Sequence, residues 1–554
     1  MRPGVLGRAW QVSRRFAGAL VLPWLLRRRH PSGPERVQVA LEELGGAWIK
    51  LGQALALRFD VLPAEYCLQL FQLLNQVRPF PADDVRRVVE QELGRPVEAL
   101  FREFEWEPIA AASIGQVHRA ELPDGSVVAV KVQRPGVRDL IRADLRLMHV
   151  LAALVDAFSV FGRTRARELV REFARWTREE LDYRMEARHV AVLRRNAAED
   201  PYERNPRVFP AYTTERVLTL EYLGGIPVVD IVGAIRRRDA AFLEALAARG
   251  HDRRRIASHI AWNALNQVYR FGYFHADPHP ANLIVLPGDA IGYVDFGIVG
   301  KLDEETTRAL RYFAQSLFAG RVSRAVEVFM RFLAPSGRTD LEAAHRDLVE
   351  AMKSYLESAR VSPQEEAAPE EIFEIEILRL VRRHRMAIAP DAARYLKAVL
   401  TAEATVKELD PLFDLTAHEN RFFGRLMGIE LAEGLSVHGV GQWLLDTRVR
   451  LERVLDTVEA LRDAPGRLAP LAGEVRRRVQ VFSALTLAGW LTLLLATWGA
   501  GSADGLRVFG YRFFSVALLA ALVSVVLLLF AILQVRRLPP DVGTGPFRYP
   551  RRLR

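Results

Sequence analysis

The chain carries the sequence Phe274-His275-Ala276-Asp277-Pro278-His279-Pro280-Ala281-Asn282, and Asp295-Phe296-Gly297 follows it after the apolar run 283–285 and a Pro287-Gly288-Asp289 turn. These signals predict two short paired strands with a loop at each end. The arrangement places the carboxylates of Asp277 and Asp295 and the amide of Asn282 at the ends of the strands. Phosphoryl transfer from a nucleotide needs such a set, in which one carboxylate orients or deprotonates the nucleophile while the amide and the second carboxylate hold magnesium on the phosphates.

Composition allows a large core and more than one domain, because the chain has 554 residues and half of them are hydrophobic. The net charge is +10. Such an excess fits either nucleic acid or an anionic membrane surface, and the apolar C-terminal segments favour the membrane. The single cysteine, Cys67, excludes an intramolecular disulfide and a Cys-rich metal site.

Residues 481–500 and 513–533 are uncharged apolar segments, each long enough to cross roughly 30 Å of hydrocarbon as a helix. Arginine clusters flank the outer ends of this pair, which predicts that both flanks and the N-terminal body are cytoplasmic. The alternative is a buried helical hairpin in a soluble core. A shorter apolar run, residues 16–26, cannot span a bilayer and fits either an interfacial anchor or a frayed basic terminus.

Apolar residues at three- and four-residue spacing predict helices from about residue 37 to residue 93, with Lys50 and Gln53 at positions that read as solvent-facing. A run of small residues then leads into a predicted hairpin that contains Lys131 in an apolar strand. Lys131 either faces water on an edge strand or needs a charge partner, since an unpaired buried lysine is costly. Upstream of the Asp277 to Asp295 set, a lysine at this position can hold nucleotide phosphates.

Helical signals resume from residue 137 to about residue 196. They include Glu179, Asp182 and Glu186, which we expect to share one helix face and to supply a partner for Lys131. A solvated acidic face is the simpler interpretation for any one of these carboxylates taken alone.

Residues 217–225 predict a strand and a glycine turn, which could bond an adenine edge in a two-lobed nucleotide fold. A helix over residues 256–272 leads into the 274–282 loop. Beyond Gly297 the helical pattern returns at about Glu304 and continues to about residue 472. No long loop follows Gly297, so the usual surface for a protein substrate is not evident.

Together these motifs resemble the UbiB/ABC1 family, also called the ADCK or coenzyme Q8 family, of atypical protein-kinase-like proteins. The resemblance covers roughly residues 35–330, and the C-terminal apolar pair resembles the bacterial UbiB arrangement. The matching segments are the KxGQ motif Lys50-Leu51-Gly52-Gln53, the alanine-rich loop from Ala110 to Gln116, the nucleotide-lysine segment Lys131 to Gly136, the motif Glu180-Leu181-Asp182, and the positions Asp277, Asn282 and Asp295. The chain departs from the family pattern at Ala281, where glycine is usual, and at Ala56, where serine is frequent.

The resemblance implies an α+β, two-lobed protein-kinase-like fold with extra N-terminal helices over the active site, a helical C-terminal extension and a C-terminal transmembrane helical hairpin. The expected divisions are a basic N-terminal segment that is either interfacial or frayed (1–34), an N-terminal helical extension with the KxGQ motif (35–105), an N-lobe (106–225), a C-lobe with the catalytic loop (226–335), a helical extension (336–480), two transmembrane helices (481–500 and 513–533) and a cytoplasmic tail (534–554).

The resemblance also implies roles for individual residues. Asp277, Lys131 and Glu186 are the expected catalytic residues, and Asn282 and Asp295 are the expected Mg²⁺ ligands. The residues expected to occlude the site from protein substrates are Lys50, Gln53, Glu180 and Asp182. The residues expected to contact ATP are Ala110, Ala111, Ala112, Ser113, Ile114, Gly115, Gln116, Val117, Lys131, Glu221, Tyr222 and Leu223.

The implied function is that of a membrane-anchored atypical kinase-like ATPase, with ATP and Mg²⁺ as cofactors, that supports ubiquinone or other isoprenoid quinone biosynthesis. The implied location is the bacterial cytoplasmic (inner) membrane, as a multi-pass protein. Membrane lipid is the expected partner; quinone-biosynthesis enzymes, quinone precursors and a second copy of the chain are further candidates, and nucleic acid is not expected.

Other functions remain open at this point. One is a nucleotide-switched scaffold or lipid-handling accessory protein with little turnover, and another is a small-molecule or lipid kinase. His275, Asp277 and His279 also have metal-ligand spacing, as in a hydrolase. That interpretation leaves Asp295-Phe296-Gly297 and the Lys131 strand unexplained, and we expect both histidines to be structural.

Overall fold

The computed structural model of the protein describes residues 12, 14, 33–56, 62, 64–70, 73, 79–157, 166–335, 339–361, 373–388 and 390–434. The segments 481–500, 513–533 and 534–554, and most of the segment 1–34, lie outside these residues. None of the described helices combines the length and the hydropathy needed to cross a bilayer. The chain divides into two compact units, residues 1–424 and 425–554, and every residue of the candidate site belongs to the first.

Three short helices open the described chain: α1 (Gly33–Leu44), α2 (Ala47–Ala56) and α3 (Ala64–Leu70). The apolar face predicted from the sequence is present, because Leu41, Leu44 and Trp48 are buried in the main core. The helix nevertheless breaks at Gly45 and Gly46, whose φ angles are 64° and 54°. Glycine adopts this left-handed conformation without the steric cost of a Cβ atom, so α2 begins as a separate helix.

The N-terminal lobe is built on a five-stranded sheet in the order β1-β3-β4-β6, with β2 paired to β3. The predicted hairpin is confirmed, since Val117 of β3 lies opposite Lys131 of β4. Lys131 also faces Leu218 of β6 on the other side, so its strand is internal to the sheet and not at an edge. The elements of this region are α4 (Ala82–Leu93), α5 (Val97–Leu100), β1 (Glu103–Phe104), β2 (Ala110–Ala111), β3 (Gly115–Glu121), β4 (Val127–Gln133), α6 (Val137–Ala157), α7 (Ala166–Glu180), α8 (Tyr183–Asn196), β5 (Glu203–Arg204) and β6 (Val217–Glu221).

The following region carries a four-stranded sheet in the order β5-β10-β9-β7, and a two-stranded sheet of β8 and β11. The strand–turn–strand unit predicted between Asn282 and Asp295 is confirmed, with Ile291 opposite Val285 in antiparallel register. The helix expected over residues 256–272 instead ends at Leu265 and passes into a π-helical turn. The elements are β7 (Ile226–Pro227), α9 (Val228–Arg237), α10 (Ala240–Ala248), α11 (Arg253–Leu265), β8 (Tyr273–His275), β9 (Leu283–Val285), β10 (Ile291–Tyr293) and β11 (Val299–Lys301).

The helical pattern returns at Glu304, as predicted, where Asp303 caps the helix by accepting a hydrogen bond from Thr306 N at 2.7 Å. One later helix, α16, packs against α11 and β11 and so returns to the region of the 274–282 loop. A two-stranded pairing of β12 with β13 was not predicted from the sequence. The elements are α12 (Glu304–Phe318), α13 (Val322–Phe329), β12 (Leu333–Pro335), α14 (Leu341–Val361), α15 (Phe373–Arg383), β13 (Met386–Ile388), α16 (Pro390–Leu409) and α17 (Leu415–Gly434). The α+β class is therefore confirmed.

A buried polar network around Glu203 contacts the 274–282 loop through the backbone N–H of His275. Asn205 Nδ2 and Gln267 Nε2 donate to Glu203 Oε1 at 2.7 and 2.8 Å. Gln267 Oε1 in turn accepts a hydrogen bond from His275 N at 2.9 Å. Burial raises the pKa of Glu203 to about 8, so the carboxyl group is protonated at neutral pH.

Glu203 should make the stability of the protein depend on pH. Its carboxyl group titrates near 4.5 when exposed and near 8 in the fold, so the stability that it contributes is complete below about pH 4.5 and is lost as the pH rises through about 8. We expect Glu203→Gln, which cannot ionise, to gain stability relative to the parent by roughly 3 kcal/mol between about pH 5.5 and pH 8.5. Urea unfolding of both proteins across this range measures the difference. A constant difference at all pH values would contradict the raised pKa.

Candidate active site

Lys131 brings two carboxylates together at the centre of the site. Its Nζ lies 2.7 and 2.9 Å from the two carboxylate oxygens of Glu186 and 3.1 Å from Asp295 Oδ1. The lysine side chain is only 13% exposed. Burial disfavours its charge, but the carboxylates of Asp295 and Glu186 outweigh burial and raise the pKa of Lys131 well above its ordinary value. The ammonium group is therefore charged and holds an acid from α8 against the segment after β10.

Asp295 is held as a carboxylate by the same contacts. Burial opposes its charge, but the Lys131 ammonium and the Gly297 N–H, which donates to Oδ1 at 3.1 Å, together lower the pKa of Asp295 below its usual range. The side chain remains 47% exposed, so part of this charged group is open to a ligand. Burial raises the pKa of Glu186, although Lys131 opposes this shift, and Phe296 N donates to Glu186 at 3.3 Å.

The carboxylates of the α7–α8 region do not share one helix face, which corrects the prediction for Glu179, Asp182 and Glu186. Helix α7 ends at Glu180, and α8 begins at Tyr183 because the Asp182 side chain caps it by accepting from Arg184 N at 3.1 Å. A cap requires non-helical backbone, so the helix cannot continue through Asp182. In the helix that begins after this break, the Glu186 carboxylate contacts the Lys131 ammonium group.

The KxGQ helix α2 is tied to the site by Lys50. Its ammonium group forms a largely buried ion pair with Glu180, so Lys50 is not the solvent-facing residue that its position in the helix indicated. The other two expected members of this group are engaged elsewhere: Asp182 pairs with the Arg184 side chain at 2.8 Å, and Gln53 Nε2 donates to Leu73 O at 3.4 Å. Lys50–Glu180 is therefore the direct contact between α2 and α7 in this set.

His275 connects Asp277 to Asp295. Asp277 N donates to His275 Nδ1 at 3.1 Å, and His275 Nε2 contacts the carbonyl oxygen of Asp295. An amide N–H can only donate and a carbonyl can only accept, so the imidazole is neutral with its proton on Nε2. Burial lowers the pKa of His275, which agrees with this state. Both ring nitrogens are used, so His275 is not a metal ligand, and no cluster of three or more His, Cys, Asp or Glu side chains suited to a metal occurs among the described residues.

The 274–282 loop is held in place by Asn282 and by a residue that the sequence reasoning missed. Asn282 Nδ2 donates to Asp277 O at 3.0 Å, and Lys397 Nζ from α16 lies 3.1 Å from Asp277 Oδ2. Lys397 is 120 residues beyond Asp277, in a helix that was predicted only as part of the C-terminal extension. One sequence signal could have found it: the chain has only six lysines among its 77 basic residues, so each lysine stands out from an arginine background.

The alanine-rich loop forms a tight turn at the edge of the first sheet. Ala112 N donates to Gly115 O at 2.8 Å. A Cβ atom on Gly115 would come within 2.6 Å of Val132 O and would also collide with the Tyr183 hydroxyl, so glycine is needed there. The Tyr183 hydroxyl is buried and has no hydrogen-bond partner among the described residues, and its ring lies 5.3 Å from Lys131 Nζ.

Several residues expected to contact ATP are already engaged inside the protein. The Gln116 side chain accepts from Phe80 N at 2.8 Å and donates to Phe80 O at 3.3 Å. Tyr222 N donates to Val127 O at 3.1 Å, so this N–H is not available to an adenine edge. Glu221 pairs with two arginines, and Ile114 is buried in the main core. The remaining residues of the set lie on the alanine-rich loop (Ala110, Ala111, Ala112, Ser113 and Gly115), on β3 (Val117), on β4 (Lys131) and after β6 (Leu223).

A cavity of about 290 Å³ adjoins this charged centre. It is bounded by α2, α7, the segment 296–301 and α16. Most of its wall is apolar, and its charged residues include Lys50, Glu180 and Lys397. The larger apolar side chains of the wall include those of Leu51, Leu55, Leu169, Phe173, Trp176, Met185, Phe296, Ile298 and Val299.

Known proteins similar to this chain were found by sequence and by structure. Residues 72–329 match the ABC1 atypical kinase-like domain. The chain is 34% identical to the probable protein kinase UbiB of Marinobacter nauticus over 72% of its own length and 70% of that protein, and 33% identical to the probable protein kinase UbiB of Serratia proteamaculans over 75% and 78%. A solved complex of Rv3197 with erythromycin, from Mycobacterium tuberculosis, is 25% identical, covers 68% of this chain and 92% of that one, and has a TM-score of 0.44.

We expect Lys50 and Glu180 to be energetically coupled. Removing one partner strands a largely buried charge, so Lys50→Met and Glu180→Gln should each lower the free energy of unfolding by roughly 1–3 kcal/mol, and the double variant should lose less than the sum. Urea denaturation of the four proteins measures the coupling. The exposed pair Arg86–Glu98 serves as the control cycle and should show little coupling. Additive losses for Lys50 and Glu180 would show that this ion pair does not hold α2.

Proposed function

Because the chain belongs to the UbiB/ABC1 family of atypical kinase-like proteins, we propose that it is a membrane-anchored ATPase that uses Mg²⁺-ATP and supports the biosynthesis of ubiquinone or another isoprenoid quinone. The observation that carries the catalytic part is the Lys131 ammonium shared between Glu186 and Asp295, with Asp277 and Asn282 on the neighbouring loop. The membrane anchor rests on the apolar segments 481–500 and 513–533 of the sequence.

The residues present fit a nucleotide with a divalent cation. Asp295 is a charged and half-exposed carboxylate, and carboxylate and amide oxygens are the ligands that Mg²⁺ prefers, so Asp295 and Asn282 would hold the ion. Lys131 would contact the α- and β-phosphates, and the unpartnered Tyr183 hydroxyl lies beside it. When bound, the ion neutralises charge on the phosphates.

Asp277 is the base in this proposal. An acceptor oxygen forms a bond to the γ-phosphorus as the bond from phosphorus to the β-phosphate bridging oxygen breaks, ADP leaves with the electron pair, and Asp277 orients the acceptor and takes its proton. The neutral His275 fixes the Asp277 backbone by accepting from its N–H. Lys131 cannot serve as the base, because its pKa is raised and it stays charged.

The acceptor in this proposal is water and not a protein hydroxyl. Only six residues, 298–303, separate Gly297 from α12, and three of them pair with β8 as β11. This leaves little chain to form a platform for a protein substrate. The ion pair between Lys50 and Glu180 closes the site further with α2.

A small-molecule or lipid kinase is the second candidate, and the cavity favours it. Its apolar wall and charged end would suit an acceptor that has an apolar body and a hydroxyl group. Membrane lipid and quinone precursors are the proposed partners that have this chemistry.

We expect Asp295→Asn to reduce metal-dependent ATP turnover by about 100-fold or more, because the variant loses the charge that would bind the ion and that pairs with Lys131. Asp239→Asn is the matched control, since Asp239 caps α10 outside the site and asparagine caps a helix equally well. Phosphate release with and without Mg²⁺ measures the effect. Full turnover in Asp295→Asn would overturn the site assignment.

A second experiment separates the candidate functions. The full-length protein is placed in anionic vesicles with labelled ATP, with and without a quinone-precursor mimic. Phosphate release that the vesicles or the mimic stimulate supports the ATPase. Label on the lipid or the mimic supports a kinase. If neither stimulated phosphate release nor label is seen, the result supports a nucleotide-switched scaffold.

A further inference from the structure

We propose that Lys397 is a positioning residue of the active site: from α16 it holds the Asp277 carboxylate in the orientation that the reaction needs. This inference rests on the proposed function for its catalytic meaning. The ion pair on which it depends is a separate observation, because Lys397 Nζ lies 3.1 Å from Asp277 Oδ2.

The pair lies in a protected place. The Lys397 side chain is 12% exposed and the Asp277 side chain is 31% exposed. Because little water surrounds this pair, solvent screens the two charges less than it screens a surface ion pair, and they interact more strongly. Asp277 also keeps enough exposure to meet an acceptor, so the lysine can orient the carboxylate without covering it.

Helix α16 is fixed to the catalytic region on both sides of Lys397. Towards the C-terminal end of the helix, the hydroxyl of the buried Thr405 is shared between Thr401 O at 2.8 Å and Pro278 O, in the residue after Asp277, at 3.1 Å. Towards its start, the Tyr395 and Tyr269 hydroxyl groups form a buried hydrogen bond of 2.7 Å. These contacts fix the position of the Lys397 backbone relative to the 274–282 loop. The Lys397 side chain therefore reaches Asp277 from a helix that is already held in place.

The loop itself and the two other lysines that pair with carboxylates of the site do not supply this contact. Between Asp277 and Asn282 the loop contains only Pro278, His279, Pro280 and Ala281, so it has no lysine or arginine of its own. Lys131 is shared by Glu186 and Asp295, and Lys50 is paired with Glu180.

The composition of the chain supports a specific need for an ammonium group at position 397. Arginine supplies all but six of the 77 basic residues, yet Lys50, Lys131 and Lys397 are the residues that pair with Glu180, Glu186, Asp277 and Asp295. All three are largely buried, with side-chain exposures of 10%, 13% and 12%. An ammonium group is a compact point charge, whereas a guanidinium group is a wide planar fork that needs more space and more partners.

The test uses the full-length protein with Lys397→Met, Lys397→Arg and Lys407→Met. We expect Lys397→Met to lower kcat for ATP turnover by about 10- to 100-fold while the KM for ATP stays within about twofold, because a misplaced Asp277 affects the chemical step and not nucleotide binding. Lys397→Arg should recover part of kcat. Lys407→Met is the control for charge on the same helix, since Lys407 Nζ donates to Phe413 O at 3.2 Å outside the site, and it should keep the parent kcat.

A thermal double-mutant cycle tests the pair without any turnover. Lys397→Met should lower the Tm of the parent, and it should have a smaller effect in an Asp277→Asn background, where the carboxylate charge is already absent. An equal loss of Tm in both backgrounds, or an unchanged kcat in Lys397→Met, would overturn the inference. If the parent itself shows no turnover, the proposed ATPase function fails. The cycle then decides alone, since coupling supports the pairing of Lys397 with Asp277 and its absence overturns it.

Discussion

The site depends on one constraint: a lysine inside a central strand of a sheet must keep its charge and must therefore be paired. Lys131 has neighbours on both sides in the first sheet, so it has no edge at which to reach water. Glu186 from α8 and Asp295 from the segment after β10 converge on its ammonium group, because an isolated charge there would be far more costly than the pair. The five-stranded sheet, through Lys131, and the segment that follows the four-stranded sheet, through Asp295, thus meet at this one side chain.

Two more pairs of a largely buried lysine and a carboxylate belong to the site, in addition to those of Lys131. Lys50 of α2 pairs with Glu180, and Lys397 of α16 pairs with Asp277. These two lysines come from opposite ends of the described chain, from helices that precede and follow the two sheets. The N-terminal and C-terminal extensions are therefore built into the charge arrangement of the centre, and the region between them would lack two of its three ammonium groups if it stood alone.

Sequence reasoning succeeded where structure is set locally. The strand–turn–strand unit around Pro287, the hairpin with Lys131 and the start of α12 after Asp303 all follow from patterns within a few residues. It failed where a local choice had two solutions: helical spacing through Asp182 was equally compatible with a cap, and the cap is what forms.

Partners distant in sequence could not be assigned in this way. The contact of Lys397 with Asp277 and that of Gln116 with Phe80 are decided by tertiary packing, which no short sequence pattern encodes. For Lys397 only the rarity of lysine gave a signal.

The lysines of the site and the carboxylates that they pair with carry a net negative charge, opposite in sign to the net charge of the whole chain. Three ammonium groups, Lys50, Lys131 and Lys397, face four carboxylates, Glu180, Glu186, Asp277 and Asp295, so this group of residues sums to −1 while the protein carries +10. A net negative group of side chains opposes the approach of a bare polyanion at short range, whatever the net charge of the whole chain. Under the proposed function, phosphates would enter in exchange for existing ion pairs or together with a divalent cation, so the charge of this group would favour the metal complex over the bare nucleotide.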